Sequence, residues 1–320
     1  MRYAAARVAR ALPLLVLVSL VTFGIMHLAP GGPTTAYAHN PLVSGEQIAK
    51  IRAGMGLDDP LPVQYVKWLS SLLQGSWGYS FADGRPVLAV IVERLPATLL
   101  LMTAAFAIAA GIAGPLGVLA ARRQYSTLDH ALTLVSYFAW AMPVFWFGLM
   151  AQFLIAVRLH LLPVAGIHAT DATDPLDLLQ HLVLPALVLG LGSIASWSRY
   201  LRSSLLEVMN QPYIAVARAK GNSERRVVVR HALRNALIPL VTVIGLDLPH
   251  LFTGAVVTET IFAWPGMGRL FFDSLLARDY PVEMGLLMIT ATLVILSNLL
   301  ADLVCAALDP RIRLGASATS

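Results

Sequence analysis

The stretch Pro-Tyr-Ile-Ala-Val-Ala-Arg-Ala-Lys-Gly-Asn-Ser-Glu-Arg-Arg-Val-Val-Val-Arg-His-Ala-Leu-Arg-Asn-Ala-Leu-Ile-Pro, residues 212–239, is the main polar and basic interruption in the second half of a very apolar chain. Pro212 suits the first turn of a helix, where its missing N–H costs nothing. Gly221 suits the left-handed position that closes one. The nine residues between them are too few to hold a helix alone in water, so the segment must dock on something. Ala215, Ala217 and Ala219 leave little side-chain bulk, which lets another backbone approach closely. Arg218 and Lys220 fall in the last turn, where cations oppose the helix dipole favourably. Ser223 is positioned to cap a second helix that runs on into the apolar segment after Asn235.

On either side of this stretch the chain is built for a bilayer. It has 320 residues, 57% hydrophobic and 13% charged, with mean hydropathy +0.70; a soluble domain carries about 25% charged residues. Composition therefore implies an all-α polytopic membrane protein. The net charge of +5 does not point to nucleic acid, because the basic residues sit between apolar runs. Cys305 is the single cysteine, which excludes an intrachain disulfide and a cysteine metal site.

Six spans are expected, at 11–28, 96–121, 131–157, 182–197, 236–257 and 285–308. Each is read from about 17–25 largely apolar residues or a stretch close to that length. The basic start and the Ala36-Tyr37-Ala38 triplet also fit a signal peptide, but the first run is longer than a signal core of ~7–15 residues. It is read as an uncleaved span. Residues 29–95 form a polar insertion with five basic and five acidic residues. Ser44 and Gln47 have the spacing of a capping box. Residues 62–73 read as a short amphipathic helix through Tyr65, Val66, Leu69, Leu72 and Leu73, closed by Gly75. Small residues Ala107, Ala110, Gly111, Gly114 and Gly117 predict close helix packing in the second span. Pro143, between Trp140 and Trp146, predicts a kink in the third.

Lysine and arginine set the orientation. Segments 1–10, 122–130, 198–235 and 309–320 hold three, two, eight and two of them, fifteen in all, against eight in the longer remaining loops. The first set is then cytoplasmic, with both termini inside. Among intramembrane acids, Asp302 lies one turn from the cytoplasmic end, where a basic partner or headgroups can meet it. Asp247 lies deep in a span, and His250 three residues on shares its helix face. Pro143, Asp247 and His250 are the candidate pathway residues.

The central stretch resembles the "EAA" loop of ATP-binding-cassette (ABC) importer permeases. Ala215-Val216-Ala217 takes the place of the triplet, with Ala215 where the general pattern has an acid. Tyr213-Ile-Ala-Val-Ala-Arg-Ala-Lys-Gly221 and His231-Ala-Leu-Arg-Asn-Ala236 are similar to the dipeptide, oligopeptide and nickel branch. So are Gly75-Ser-Trp-Gly-Tyr-Ser80, Glu93-Arg-Leu-Pro-Ala-Thr98, Trp140-Ala-Met-Pro-Val-Phe-Trp-Phe-Gly148, Thr258-Glu-Thr-Ile-Phe-Ala-Trp-Pro-Gly266 and Asp309-Pro-Arg-Ile-Arg313. The resemblance covers nearly the whole chain and keeps the family's order.

It implies a type I ABC importer permease fold with a core over 96–308, a coupling loop at 198–235 and a cytoplasmic tail at 309–320. It implies ATPase-coupling roles for Tyr213, Ala215, Ala217, Arg218, Ala219, Lys220, Gly221, His231, Arg234 and Asn235. The implied partners are a homologous second permease, two cytoplasmic ATPases, an extracytoplasmic substrate-binding protein near residues 29–95, and lipid of a bacterial inner membrane. The substrate class is di- or oligopeptides, with nickel or glutathione-like molecules as the alternative. The chain has no Gly-x-x-x-x-Gly-Lys-Ser/Thr phosphate loop. ATP and Mg therefore belong to the partner ATPases, and no catalytic residue, cofactor or metal is expected here. The alternative for the central stretch is a basic juxtamembrane loop held by anionic lipid. Two other classes compete for the whole chain: an ion-coupled secondary carrier titrating at Asp247, and an intramembrane enzyme, for which no motif is present.

Overall fold

In the computed structural model, the described residues are 2–28, 44–46, 53, 57–169 and 174–308, without the side chains of 2–10, 253 and 306–308. The triplet Ala36–Ala38, Gln47, Asp171 and the 309–320 tail lie outside them. All regular elements described are helical. They are α1 (Arg2–Leu28), α2 (Leu61–Leu73), α3 (Val87–Arg122), α4 (Thr127–Ala141), α5 (Val144–Ala151, continued as a π-helical Gln152–Arg158), α6 (Pro175–Met209), α7 (Pro212–Ala219), α8 (Leu233–Ile261), α9 (Met267–Ala277) and α10 (Tyr280–Leu308). A single turn, Glu224–Arg226, and a π-helical segment, Val227–Ala232, lead into α8. Five of these helical stretches are long and apolar enough to cross a membrane, and six if α4 and α5 make one span.

The chain forms two compact units, Met1–Thr98 with Pro265–Ile295, and Leu99–Trp264 with Leu296–Ser320. In the first, α2 leans on α1 through polar and aromatic contacts. Tyr65 Oη and Ser19 Oγ are 2.8 Å apart, His27 Nε2 and Gln64 Oε1 2.9 Å, and the Phe23 ring meets those of Tyr65 and Trp68. Val87, Ile91, Met267, Val282 and Leu286 form this unit's core. Asp279, 3% exposed, ties the 80–82 turn to the start of α10. Its carboxylate accepts from Ser80 Oγ and from the backbone N–H groups of Phe81 and Ala82.

The second unit is built on α6. Trp197, Leu201 and Leu205 on α6, Ile214 and Ala217 on α7, and Val227, Val228, Ala232 and Ala236 share one core. The wide π-helical turn allows Val227, Val228 and Ala232 all to be buried. On α3 the buried stripe is Ala105, Ala109, Ala113 and Gly117. That corrects the expected set: Ala107, Ala110 and Gly111 are exposed, Gly114 is intermediate, and only Gly117 of the five makes a close approach. A Cβ on Gly117 would lie 2.8 Å from the Ser198 carbonyl oxygen and 2.9 Å from the Leu201 Cβ, so α3 and α6 meet there backbone to backbone with no room for a methyl group.

Several expected boundaries shift. The helix of the second span already starts at Val87, nine residues inside the insertion as read from composition. The fourth is 35 residues long, about 52 Å at 1.5 Å per residue. It continues through Arg199 and Arg202, which composition had placed in a loop. Glu259, expected in an external loop, is fully buried within α8. The largest correction is at Pro143. Instead of a kink, α4 and α5 are separate helices bent by 107°. Proline disfavours helical backbone in the residue before it. Met142 is extended (φ −75°, ψ 131°), as is Pro143 (φ −59°, ψ 131°), and the helix restarts at Val144.

Candidate functional site

Two places in the second unit carry the residues singled out from the sequence. The first is α7. Gln211 precedes it in extended conformation and Pro212 opens it. At its far end the Lys220 N–H reaches the Val216 carbonyl at 3.1 Å and the Gly221 N–H the Arg218 carbonyl at 2.9 Å. Gly221 has φ +77°, so the left-handed closure expected from the sequence is present. Asn222 Nδ2 donates to the Ala217 carbonyl at 2.9 Å, satisfying another terminal acceptor.

An eight-residue helix is marginal alone. Ile214, at 0% exposure, and Ala217, at 6%, anchor it in the core of α6; full burial of one such isoleucine contributes about 1.5–3 kcal/mol. The opposite face is open: Tyr213, Ala215, Val216, Ala219 and Lys220 are exposed. Ala217 thus departs from the accessibility expected of the three alanines. Its methyl group packs on the chain's own core and is not available to a second protein. Ala215 and Ala219 keep the small, accessible character expected of all three.

The rest of the predicted set gathers around the same helix. Asn235 Nδ2 donates to Tyr213 Oη at 2.8 Å, joining the two motif segments across 22 positions. Arg218 forms a forked pair with Glu224, at 2.9 and 3.2 Å. The Glu224 carboxylate holds the Arg218 guanidinium above its ordinary range by that hydrogen bond. His231 is half-buried and Arg234 exposed. Ser223 does precede the next turn in extended conformation, but its side chain makes no capping bond.

The second place is a cavity of about 610 Å³ bounded by α4, α5, α6 and α8. Met142 and Val144, on either side of Pro143, line it, as do Trp140, Ser193, Ser196, Tyr200, Asp247 and His250. Pro143 acts here through the break it creates, which carries Met142 and Val144 into the wall. Asp247 and His250 both face the cavity but do not pair. Asp247 Oδ2 accepts instead from the indole Nε1–H of Trp197 at 2.6 Å. Trp197 is 1% exposed and its ring meets Phe106 edge-on at 5.5 Å.

Two partnerships join residues far apart in the sequence. Trp197 reads in the sequence only as the end of an apolar span. Arg202 makes a bidentate pair with Asp129, Nε to Oδ1 at 2.6 Å and a terminal nitrogen to Oδ2 at 2.7 Å. The Asp129 side chain is 2% exposed; it also receives the Tyr125 N–H at 2.9 Å, and its own N–H is capped by Ser126 Oγ. The pair locks the turn before α4 onto α6. The one available signal was an arginine extending an apolar helix and an acid opening another, 73 positions apart.

The chain matches known proteins along almost its whole length. It is 43% identical over 312 residues to the oligopeptide transport system permease protein AppB of Bacillus subtilis, covering 97% of this chain and 98% of that one. It is 39% identical over 329 residues to the dipeptide transport system permease protein DppB of Escherichia coli K12, covering 96% and 97%. Among solved structures, a chain of the MetNI methionine ABC transporter in an inward-facing conformation superposes with a TM-score of 0.59 at 18% identity, over 70% of this chain and 98% of that one. That likeness carries the fold alone, a type I ABC importer permease fold. Residues 1–102 match the N-terminal model of the binding-protein-dependent transport system membrane component. With residues 113–314 matching the model of its main part, in which the exposed α7 and the cavity both lie, the chain belongs to the family of binding-protein-dependent transport system inner membrane components.

Proposed function

We propose that this chain is the permease subunit of an ATP-driven importer, forming with a homologous second permease the path for di- or oligopeptides. The observation that carries the reading is α7, anchored by Ile214 and Ala217 and presenting Tyr213, Ala215, Val216 and Ala219 outward. A short helix with a small, open face and a rigid seat can pass a push from a partner into α6 and α8. The partner on that face is a cytoplasmic ATPase, one of two, which hold ATP and Mg; this chain makes and breaks no covalent bond. The names of the relatives at 43% and 39% identity support peptides as the cargo.

In this reading the termini, α7 and the 309–320 tail are cytoplasmic, residues 96–308 form the pore-building core, and residues 29–95 face the substrate-binding protein. The basic asymmetry of the loops supports that orientation. Reconstitution tests the whole. Proteoliposomes holding this chain, its permease partner and both ATPases take up labelled dipeptide only when ATP and the loaded binding protein are supplied. The purified chain alone hydrolyses no ATP. Turnover by the isolated chain, or uptake without ATPases, contradicts the proposal.

A further inference from the structure

An acid in the apolar helix α8 is expensive and persists where something uses it. Among the described residues, Asp247 has one hydrogen-bond partner, the Trp197 indole. That donor is held rigidly by burial and by Phe106, so it fixes one carboxylate oxygen, Oδ2. A single neutral donor does not compensate a full negative charge. No described residue donates to Oδ1, and the side chain lines the 610 Å³ cavity, a size within the ~300–1,000 Å³ of small-molecule sites. Along α6, Ser193, Ser196 and Tyr200 line the same cavity. Their spacing of three and four residues sets them on one helix face about 10 Å long, a hydroxyl-bearing stripe along α6. Trp140, 66% exposed, adds an aromatic wall.

We infer that Asp247 is a cation-recognition residue on the translocation path: its carboxylate receives the α-ammonium or a side-chain ammonium of the peptide, and Ser193, Ser196 and Tyr200 meet the backbone amides. The inference rests on the proposed peptide cargo and goes beyond it by naming the charge that is read and the residue that reads it. The Trp197 bond is what makes the carboxylate a site. It orients one oxygen and leaves the other for the ligand, so no reorganisation is needed when a cation arrives. Trp140, lining the same cavity, offers an aromatic face of the kind that favours an ammonium group.

The experiment uses the complete transporter in proteoliposomes, with initial uptake of Ala-Lys-Ala and Ala-Glu-Ala measured side by side with ATP hydrolysis. Asp247→Asn keeps an acceptor for Trp197 and removes only the charge. Uptake of both peptides is expected to fall about tenfold, and the Lys-to-Glu uptake ratio about threefold further, the scale of one lost partly screened charge pair. ATP hydrolysis stimulated by the loaded binding protein stays within about twofold. Asp247→Glu, which restores the charge, recovers most of the ratio. An Asn variant with unaltered uptake and unaltered ratio overturns the inference and leaves Asp247 as a structural partner of Trp197. Trp197→Phe supplies the converse: it leaves the charge but no longer orients it, and is expected to lower thermal stability and to keep only part of the preference for lysine, more than Asp247→Asn keeps. Loss of the preference there, with the Asn variant normal, also overturns it. Absence of uptake by the unaltered transporter would instead defeat the proposed peptide function, a separate result.

Discussion

Helix α7 and the cavity bounded by α4, α5, α6 and α8 belong to the same compact unit, yet they are built in opposite ways. α7 is assembled from neighbours in sequence. Proline opens it, a glycine at φ +77° closes it, and Asn222 caps a carbonyl five residues back. The cavity is assembled from residues far apart: Trp197 meets Asp247 across 50 positions, and the Met142–Pro143 break brings in a third wall. The first region has strong local geometry and a small anchor, the two inward side chains Ile214 and Ala217. The second has weak local signals and a rigid, buried support. The proposed function asks for both: a helix that relays motion needs a sharp end and an open face, and a path through the bilayer needs polar groups held in place by the core.

The sharpest way to break that contrast is at Gly221. A Cβ there meets nothing within 4 Å, so space is no obstacle; the backbone is. A β-branched residue at positive φ costs roughly 1–2 kcal/mol, close to what one anchoring side chain contributes. Gly221→Val is expected to abolish coupled uptake while the chain still inserts. Cysteine cross-linking to the ATPase from Ala219 should be lost with it, whereas Ala217, being buried, should not cross-link even in the unaltered chain. Normal uptake and an undiminished Ala219 cross-link would return α7 to a passive loop.

A smaller effect is expected where the structure is held by distant partners. Arg202→Ala leaves the buried Asp129 carboxylate with only backbone donors. Removing one side of a fully buried pair costs ~3–5 kcal/mol; here Arg202 keeps 24% of its side chain exposed, so about 2 kcal/mol is expected. Thermal unfolding in detergent measures it, and the double variant Asp129→Asn, Arg202→Met should recover part of the loss. If the single change is silent, the turn before α4 is not secured by this pair.

The smallest effect is at Arg218. Its pair with Glu224 is exposed, 44% and 51%, and such pairs contribute roughly 0–1 kcal/mol. Arg218→Ala should leave thermal stability nearly unaltered and lower uptake by no more than about threefold. A large loss would mean that the guanidinium contacts the partner directly and that the coupling surface extends past the alanine face.

Asp247 alone would suit an ion-coupled carrier as well as a permease. What separated the classes in the sequence was the resemblance of residues 213–221 and 231–236 to the permease motif. The place and ends of α7 were legible besides, because helix start and stop signals and small residues act within one or two turns and can be read without knowing what they touch. The same locality explains the errors. Ala217 looked like its neighbours Ala215 and Ala219, since the sequence does not say which third of an eight-residue helix is anchored. Arg202 looked like loop because its charge was visible and Asp129, 73 residues earlier, was not recognised as its partner.

Hydropathy, basic asymmetry and punctuation by proline and glycine thus determined an all-helical chain of about six spans and the place and ends of α7. These are properties of the backbone's solvent and of single residues. Tertiary structure decided that Pro143 separates two helices at 107°, that α6 continues through its arginines, that the α3 seam runs through Ala105, Ala109, Ala113 and Gly117, and that Trp197 fixes Asp247. Each of these depends on which groups satisfy each other across helices. In an apolar chain many helix faces are equally greasy, so the choice of partner is made by close packing and by a few buried hydrogen bonds that only the folded chain brings together.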